Sequence, residues 1–165
     1  MRIAIVDDLA GERALLREQL ARQLARRGAE AELLEFDSGE AFLAAEKERR
    51  FTAAFLDIYM EGASGIDAAN ILRGKGYNGT LIFTTTSREH YAEGFDLAAA
   101  HYLIKPITWE SFCEAVGRCN KIGELEKKYI RVNIGRSELN VDVDGIRYIE
   151  VYGHKTIIST IRRNP

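Results

Sequence analysis

Along residues 1–126, short apolar runs alternate with longer amphipathic stretches. The short runs are Ile3–Val6, Ala31–Phe36, Ala53–Ile58, Leu81–Thr84 and Tyr102–Ile104, each bounded by polar, Gly or Pro residues. Continuous apolar runs of this length predict strands buried on both faces. Between them, Leu16, Leu20 and Leu24 recur every four residues, as do Tyr91 and Phe95. Phe112, Val116, Cys119 and Ile122 mark one face of a last helix. Ser38 ahead of Phe42 and Ser64 ahead of Ile66 predict helix starts with a capping hydroxyl. Five strands alternating with five helices predict an α/β domain, a parallel sheet doubly wound by helices on both faces.

After Glu126 the pattern changes to a period of two. Tyr129–Ile134 alternates, Leu139–Val143 alternates again, and Asp144-Gly145 predicts a tight turn. Ile146–Val151 and Thr156–Ile161 are two further strands, separated by Tyr152-Gly153-His154-Lys155. The expected organisation is a domain over 1–123, a linker over 124–128 and an all-β segment over 129–165.

Charge sharpens that division. Residues 1–126 hold 15 Lys/Arg against 21 Asp/Glu, a net −6, whereas residues 127–165 hold 8 against 4, a net +4. A basic segment appended to an acidic domain points toward a polyanion, although solvated surface lysines and arginines explain +4 equally well. No apolar run approaches the roughly 20 residues that cross a bilayer. The opening Met1-Arg2-Ile3-Ala4-Ile5-Val6-Asp7-Asp8 is too short in apolar residues for a secretory leader. Cys113 and Cys119 have neither metal-binding nor redox spacing. The expected setting is therefore the reducing cytoplasm, away from membranes.

The candidate chemistry lies at strand ends. In an open α/β sheet, ligands bind beyond the carboxyl ends of the strands, where strand order reverses. Asp7 and Asp8 end the first strand and Asp57 ends the third. Three converging carboxylates repel one another unless a cation joins them. Oxygen-only ligands suit a hard ion, and Mg²⁺ fits carboxylates with water and a phosphate. Thr85 ends the fourth strand with a hydroxyl, and Lys105 ends the fifth with a point charge suited to a phosphoryl oxygen. A carboxylate can itself accept a phosphoryl group. Singly, these residues have ordinary explanations: a turn-forming Asp8, a loop lysine before Pro106, or β propensity in Thr84-Thr85-Thr86. Together they define a metal-assisted phosphate site.

These residues resemble a receiver domain of the CheY-like response regulators. The matching stretches are Ile5-Val6-Asp7-Asp8, Leu56-Asp57-Ile58-Tyr59-Met60 with Gly62 and Gly65, Ile82-Phe83-Thr84-Thr85, and Tyr102-Leu103-Ile104-Lys105-Pro106. The resemblance implies a flavodoxin-like strand order 2-1-3-4-5 over about residues 1–123. It implies that Asp57 is the phospho-acceptor of a sensor histidine kinase, with no enzymatic turnover beyond slow loss of the phosphoryl group. Asp7, Asp8, Asp57 and the backbone carbonyl of Tyr59 would hold Mg²⁺. Thr85 and Lys105 would hold phosphoryl oxygens, Tyr102 would be an aromatic switch, and the peptide before Pro106 would be cis. One departure is Met60-Glu61-Gly62, where many members have Met-Pro-Gly. A looser loop and an additional carboxylate near the site are expected from it.

The stretch Ile146–Lys155 resembles the strand that leads into a DNA-facing loop of LytTR-type DNA-binding domains, which implies promoter contacts from His154 and Lys155. Phe83-Thr84-Thr85 followed by Phe95-Asp96-Leu97 fits receivers of the same class. Residues 127–165 amount to about half of such a domain. Its unpaired strands are expected to seek a second copy, and phosphorylation is expected to favour a homodimer. Two alternatives stay open. One is an interaction module whose tail does not bind DNA. The other is an aspartate-nucleophile phosphohydrolase, which would want a second Asp where Tyr59 stands.

Overall fold

The computed structural model describes residues 1–118, 129–134, 137–142, 146–153 and 155–160. Cys119, Ile122, the expected linker 124–128 and His154 lie outside the described residues. Two units divide the chain, Met1–Gly123 and Glu124–Pro165.

In the first unit the strands are β1 (Arg2–Val6), β2 (Glu32–Phe36), β3 (Ala53–Asp57), β4 (Thr80–Thr85) and β5 (His101–Ile104). The helices are α1 (Ala10–Arg27), α2 (Gly39–Arg49), α3 (Gly65–Gly74), α4 (Tyr91–Asp96) and α5 (Trp109–Arg118). All five strands are parallel in the order β2-β1-β3-β4-β5. The order reverses between β1 and β3, so their carboxyl ends border one crevice.

Alternation along each strand sorts the core into two layers. Ile3, Ile5, Phe55, Ile82 and Leu103 face Leu16 and Leu20 of α1 and Phe112 and Val116 of α5. Ala4, Val6, Leu56, Leu81 and Phe83 face the other way, toward Phe42 of α2 and Ala69 and Leu72 of α3. The four-residue spacing of Leu16, Leu20 and Leu24 does mark the buried stripe of α1. That helix stops at Gly28, whose φ of +63° is left-handed backbone suited to glycine.

Both predicted caps are present. Ser38 accepts from the Ala41 N–H at the start of α2. Ser64 and Asp67 form a reciprocal capping box at the start of α3, with the Ser64 hydroxyl 2.6 Å from Asp67 Oδ2.

The helix expected from the Tyr91 and Phe95 spacing is present as α4, with both side chains turned outward: Phe95 is 86% exposed and Tyr91 46%. The helix has six residues and buries only Gly94. A side chain at position 94 would press on Tyr102 Cδ2 at 3.3 Å, so the helix rests on the sheet through its glycine. The Tyr91 ring stacks on Tyr102 from outside, 4.3 Å between centroids.

The second unit contains two antiparallel pairs. β6 (Tyr129–Ile134) pairs with β7 (Ser137–Asp142), and β8 (Ile146–Tyr152) pairs with β9 (Lys155–Thr160). Each is a two-stranded sheet. Among the described residues no helix is long and apolar enough to cross a membrane.

Candidate functional site

The same alternation that sorts the core places the chemistry. Asp7 follows Ile5 by two positions, Asp57 follows Phe55, and Lys105 follows Leu103, so all three continue the layer facing α1 and α5. Asp7 and Asp57 are buried, at 0% and 3% exposure, and Asp8 is half-buried. Carboxylate oxygens of Asp7, Asp8 and Asp57 lie within 4.8 Å of one another.

Lys105 joins this cluster from the end of the edge strand β5. Its Nζ donates to Asp7 Oδ2 at 2.7 Å and lies 3.2 Å from Asp57 Oδ2. The Lys105–Pro106 peptide is cis. The backbone is tied to β4, since the Lys105 N–H donates to the Thr85 carbonyl at 2.7 Å.

Further donors surround the acids. The Leu9 N–H donates to Asp7 Oδ1 at 2.9 Å, and Arg13 Nη1 donates to the Asp7 carbonyl at 2.6 Å. A hydrogen bond from the Tyr59 backbone N–H reaches the Asp57 carboxylate. Only the backbone of Tyr59 serves the cluster, because its hydroxyl turns away to Glu89 Oε2 at 3.3 Å. At the departure, the Glu61 N–H, which a proline would lack, donates to Asp8 Oδ2 at 3.4 Å.

Burial pushes the Asp57 carboxyl up to about 6, and the Asp7 charge adds to the rise while Lys105 opposes it. For Lys105, burial alone would lower the ammonium, but hydrogen bonds and charges from Asp7 and Asp57 hold it above its ordinary value. The pocket therefore favours positive charge. Its donors are all carboxylate oxygens, the set that suits a hard cation such as Mg²⁺.

Thr85 and Tyr102 occupy the opposite layer. Thr85 continues the face of Phe83 and is fully buried, its hydroxyl accepting from the Ser87 N–H at 3.2 Å. Tyr102 pairs in register with Phe83 and is half-buried, with a hydroxyl that is enclosed and unpartnered. Burial pushes its phenol up to about 12, with help from Tyr59 and Tyr91. Lys155 is exposed at the start of β9, opposite Tyr152, in the second unit.

Two residues quoted for the resemblance, but given no role by it, adjoin the site. Gly65 lies so close to the Asp57 carbonyl that any side chain there would collide with it. Thr84, opposite Asp57 in register, is completely buried.

The sheet order and the cluster at its switch point define a receiver. Residues 3–117 match the response regulator receiver domain family, and the chain belongs to it. Among curated relatives, the sensory transduction protein LytT of Bacillus subtilis is 26% identical over 158 residues, 90% of this chain and 64% of its own. The positive alginate biosynthesis regulatory protein of Pseudomonas aeruginosa is 31% identical over 127 residues, 76% of this chain and 50% of its own. The chain thus spans less than two thirds of the length of these relatives. The response regulator TrrA of Thermotoga maritima, solved in complex with Mg²⁺–BeF, superposes with TM-score 0.62 at 27% identity, over 72% of this chain and 97% of its own. The response regulatory domain of mrkE from Klebsiella pneumoniae gives 0.63 at 24% identity, over 75% and 98%. This is a two-component response regulator receiver domain.

Proposed function

We propose that Asp57 is the phospho-acceptor of this receiver and that a sensor histidine kinase is its donor. The observation that carries this reading is the convergence of the Asp7, Asp8 and Asp57 carboxylates, with the Lys105 ammonium paired to Asp7 and Asp57. A carboxylate oxygen of Asp57 forms the bond to phosphorus. The bond from phosphorus to the donor atom breaks, and its electron pair leaves with the donor. Asp7, Asp8, Asp57 and the Tyr59 carbonyl would hold Mg²⁺, which when bound supplies positive charge to the phosphoryl oxygens. Lys105 neutralises a further oxygen, and Thr85 donates its hydroxyl to another. Tyr102, on the Thr85 side of the sheet, would report the draw of Thr85 toward the phosphoryl group to the surface under α4.

The second unit is read as the start of a LytTR-type DNA-binding domain in a cytoplasmic transcription regulator, with Lys155 and His154 toward promoter DNA. The +4 charge of residues 127–165 and the regulatory names of the LytT and alginate relatives support this. Phosphate contacts would make the affinity fall steeply with salt. The rival reading is a protein-interaction module, favoured by exposed Tyr148 and Tyr152 on one face of β8, a surface suited to a second copy.

The test of the first claim is incubation with acetyl phosphate and MgCl₂, followed by intact-mass analysis. One added phosphoryl group is expected in the wild type and none in Asp57→Asn; equal labelling of both would refute it. For the second unit, a salt-dependent gel shift by the 165-residue chain supports DNA binding, and its absence beside a dimer in light scattering supports the interaction module.

A further inference from the structure

Thr84 lies in β4 between Asp57 of β3 and Leu103 of β5, its register partners. It follows Ile82 by two positions and so shares the layer of Phe55, Ile82 and Leu103. Asp57 and Lys105 continue that same layer. It is 0% exposed, and its Oγ1 has no hydrogen-bond partner. A buried hydroxyl in this condition is a net cost to the fold, so its presence wants a reason.

Lys105 supplies the reason. It starts beyond the end of β5, yet its Nζ reaches Asp57 on β3 and Asp7 beyond β1. The strand order is β1-β3-β4-β5, so the lysine must cross the end of β4 to get there. On the shared face, the residue of β4 at that level is Thr84. An ammonium has three N–H donors, and the two acids account for two of them.

We propose that the Thr84 hydroxyl is a positioning group for Lys105, accepting an N–H of the ammonium when Lys105 leaves its present acids to meet a phosphoryl oxygen. The proposal rests on Asp57 being the phospho-acceptor. In the unphosphorylated protein Lys105 is held by Asp7 and Asp57, and the hydroxyl waits. Once Asp57 carries a phosphoryl group, the lysine tip must move, and the hydroxyl under its path fixes where it stops.

The experiment compares wild type, Thr84→Val and Thr84→Ser with acetyl phosphate and MgCl₂. Valine keeps the shape and removes the hydroxyl, so the melting temperature without phosphodonor should stay the same or rise. The maximal rate of Asp57 labelling should fall about tenfold, the worth of one charge-assisted hydrogen bond. The MgCl₂ concentration giving half the effect should not move, and serine should restore the rate to within about twofold of wild type. A packing role alone would lower the melting temperature and leave the rate intact. If valine impairs folding, Thr84→Ala must show the same rate loss with serine still restoring it. A Thr84→Val rate equal to wild type overturns this proposal and leaves the receiver reading standing. If wild type itself fails to label on Asp57, the receiver reading falls and takes the proposal with it.

Discussion

Lys105 sits nearer to Asp7 than to Asp57, 2.7 Å against 3.2 Å between its Nζ and their Oδ2 atoms. The ammonium is thus an internal counter-ion for two buried acids, and its removal leaves both uncompensated. Breaking a buried pair from one side costs about 3–5 kcal/mol. Lys105→Met should lose stability on that scale without divalent cations. Urea unfolding with and without MgCl₂ checks this, and Mg²⁺ should stabilise the variant more than the wild type. Equal Mg²⁺ effects on both proteins would show that the cation and the lysine do not serve the same charges.

A second prediction concerns pH. The Asp57 carboxyl is raised from 3.8 to about 6. Between those values the folded protein keeps a proton that the unfolded chain has released, so stability falls as pH rises through that window. Above it the cost of the buried charge persists in full. Lys105, raised as well, contributes stability below its ordinary 10.5 that is lost only above it, outside this window. Asp57→Asn should therefore stabilise the protein at pH 7.5 by about 1–3 kcal/mol and flatten the curve between pH 4 and 6. Calorimetric titration with MgCl₂ should likewise show about tenfold weaker binding at pH 5 than at pH 7.5, because the ion must displace the proton.

Gly65 is held to its identity by contact, since its φ is unremarkable and the Asp57 carbonyl fills the space a side chain would need. Gly65→Ala should cost about 1–3 kcal/mol and shift the end of β3, so labelling of Asp57 should fall with it. A stable Gly65→Ala protein that labels normally would show that the carbonyl can yield.

Phe95 supplies the opposite case. At 86% exposure, Phe95→Ser should change stability by less than about 0.5 kcal/mol, whereas Phe83→Ala, fully buried, should cost about 3–5 kcal/mol. Thermal melts of the two variants settle the comparison.

Much of this is legible in the amino-acid sequence. The five strands stand where the apolar runs stand, and most plainly so for β1, β3 and β4, which are covered on both faces and have no polar side to blur them. Asp7, Asp57 and Lys105 were placed by the rule that ligands gather at carboxyl ends. The Tyr91–Phe95 spacing announces the helix but not its facing, since a four-residue period describes an outward stripe as well as an inward one. Only the fit of Gly94 against Tyr102 decides between them. Thr84 was hidden inside a threonine triplet that β propensity explains, and its burial becomes visible only when β3 and β5 flank it. In the second unit, β7 and β9 begin one or two residues earlier than the alternation suggested, because period two gives a strand its faces but not its ends.

The brevity of α4 has one more implication. A helix of six residues that buries a single glycine has little of its own holding it in place. The neighbouring strands are locked between two layers of core, while this segment could unwind or tilt against only a slight opposing free energy. Any event that disturbs the floor beneath it, at Tyr102 or Phe83, would therefore be amplified at the surface here before any other helix stirred.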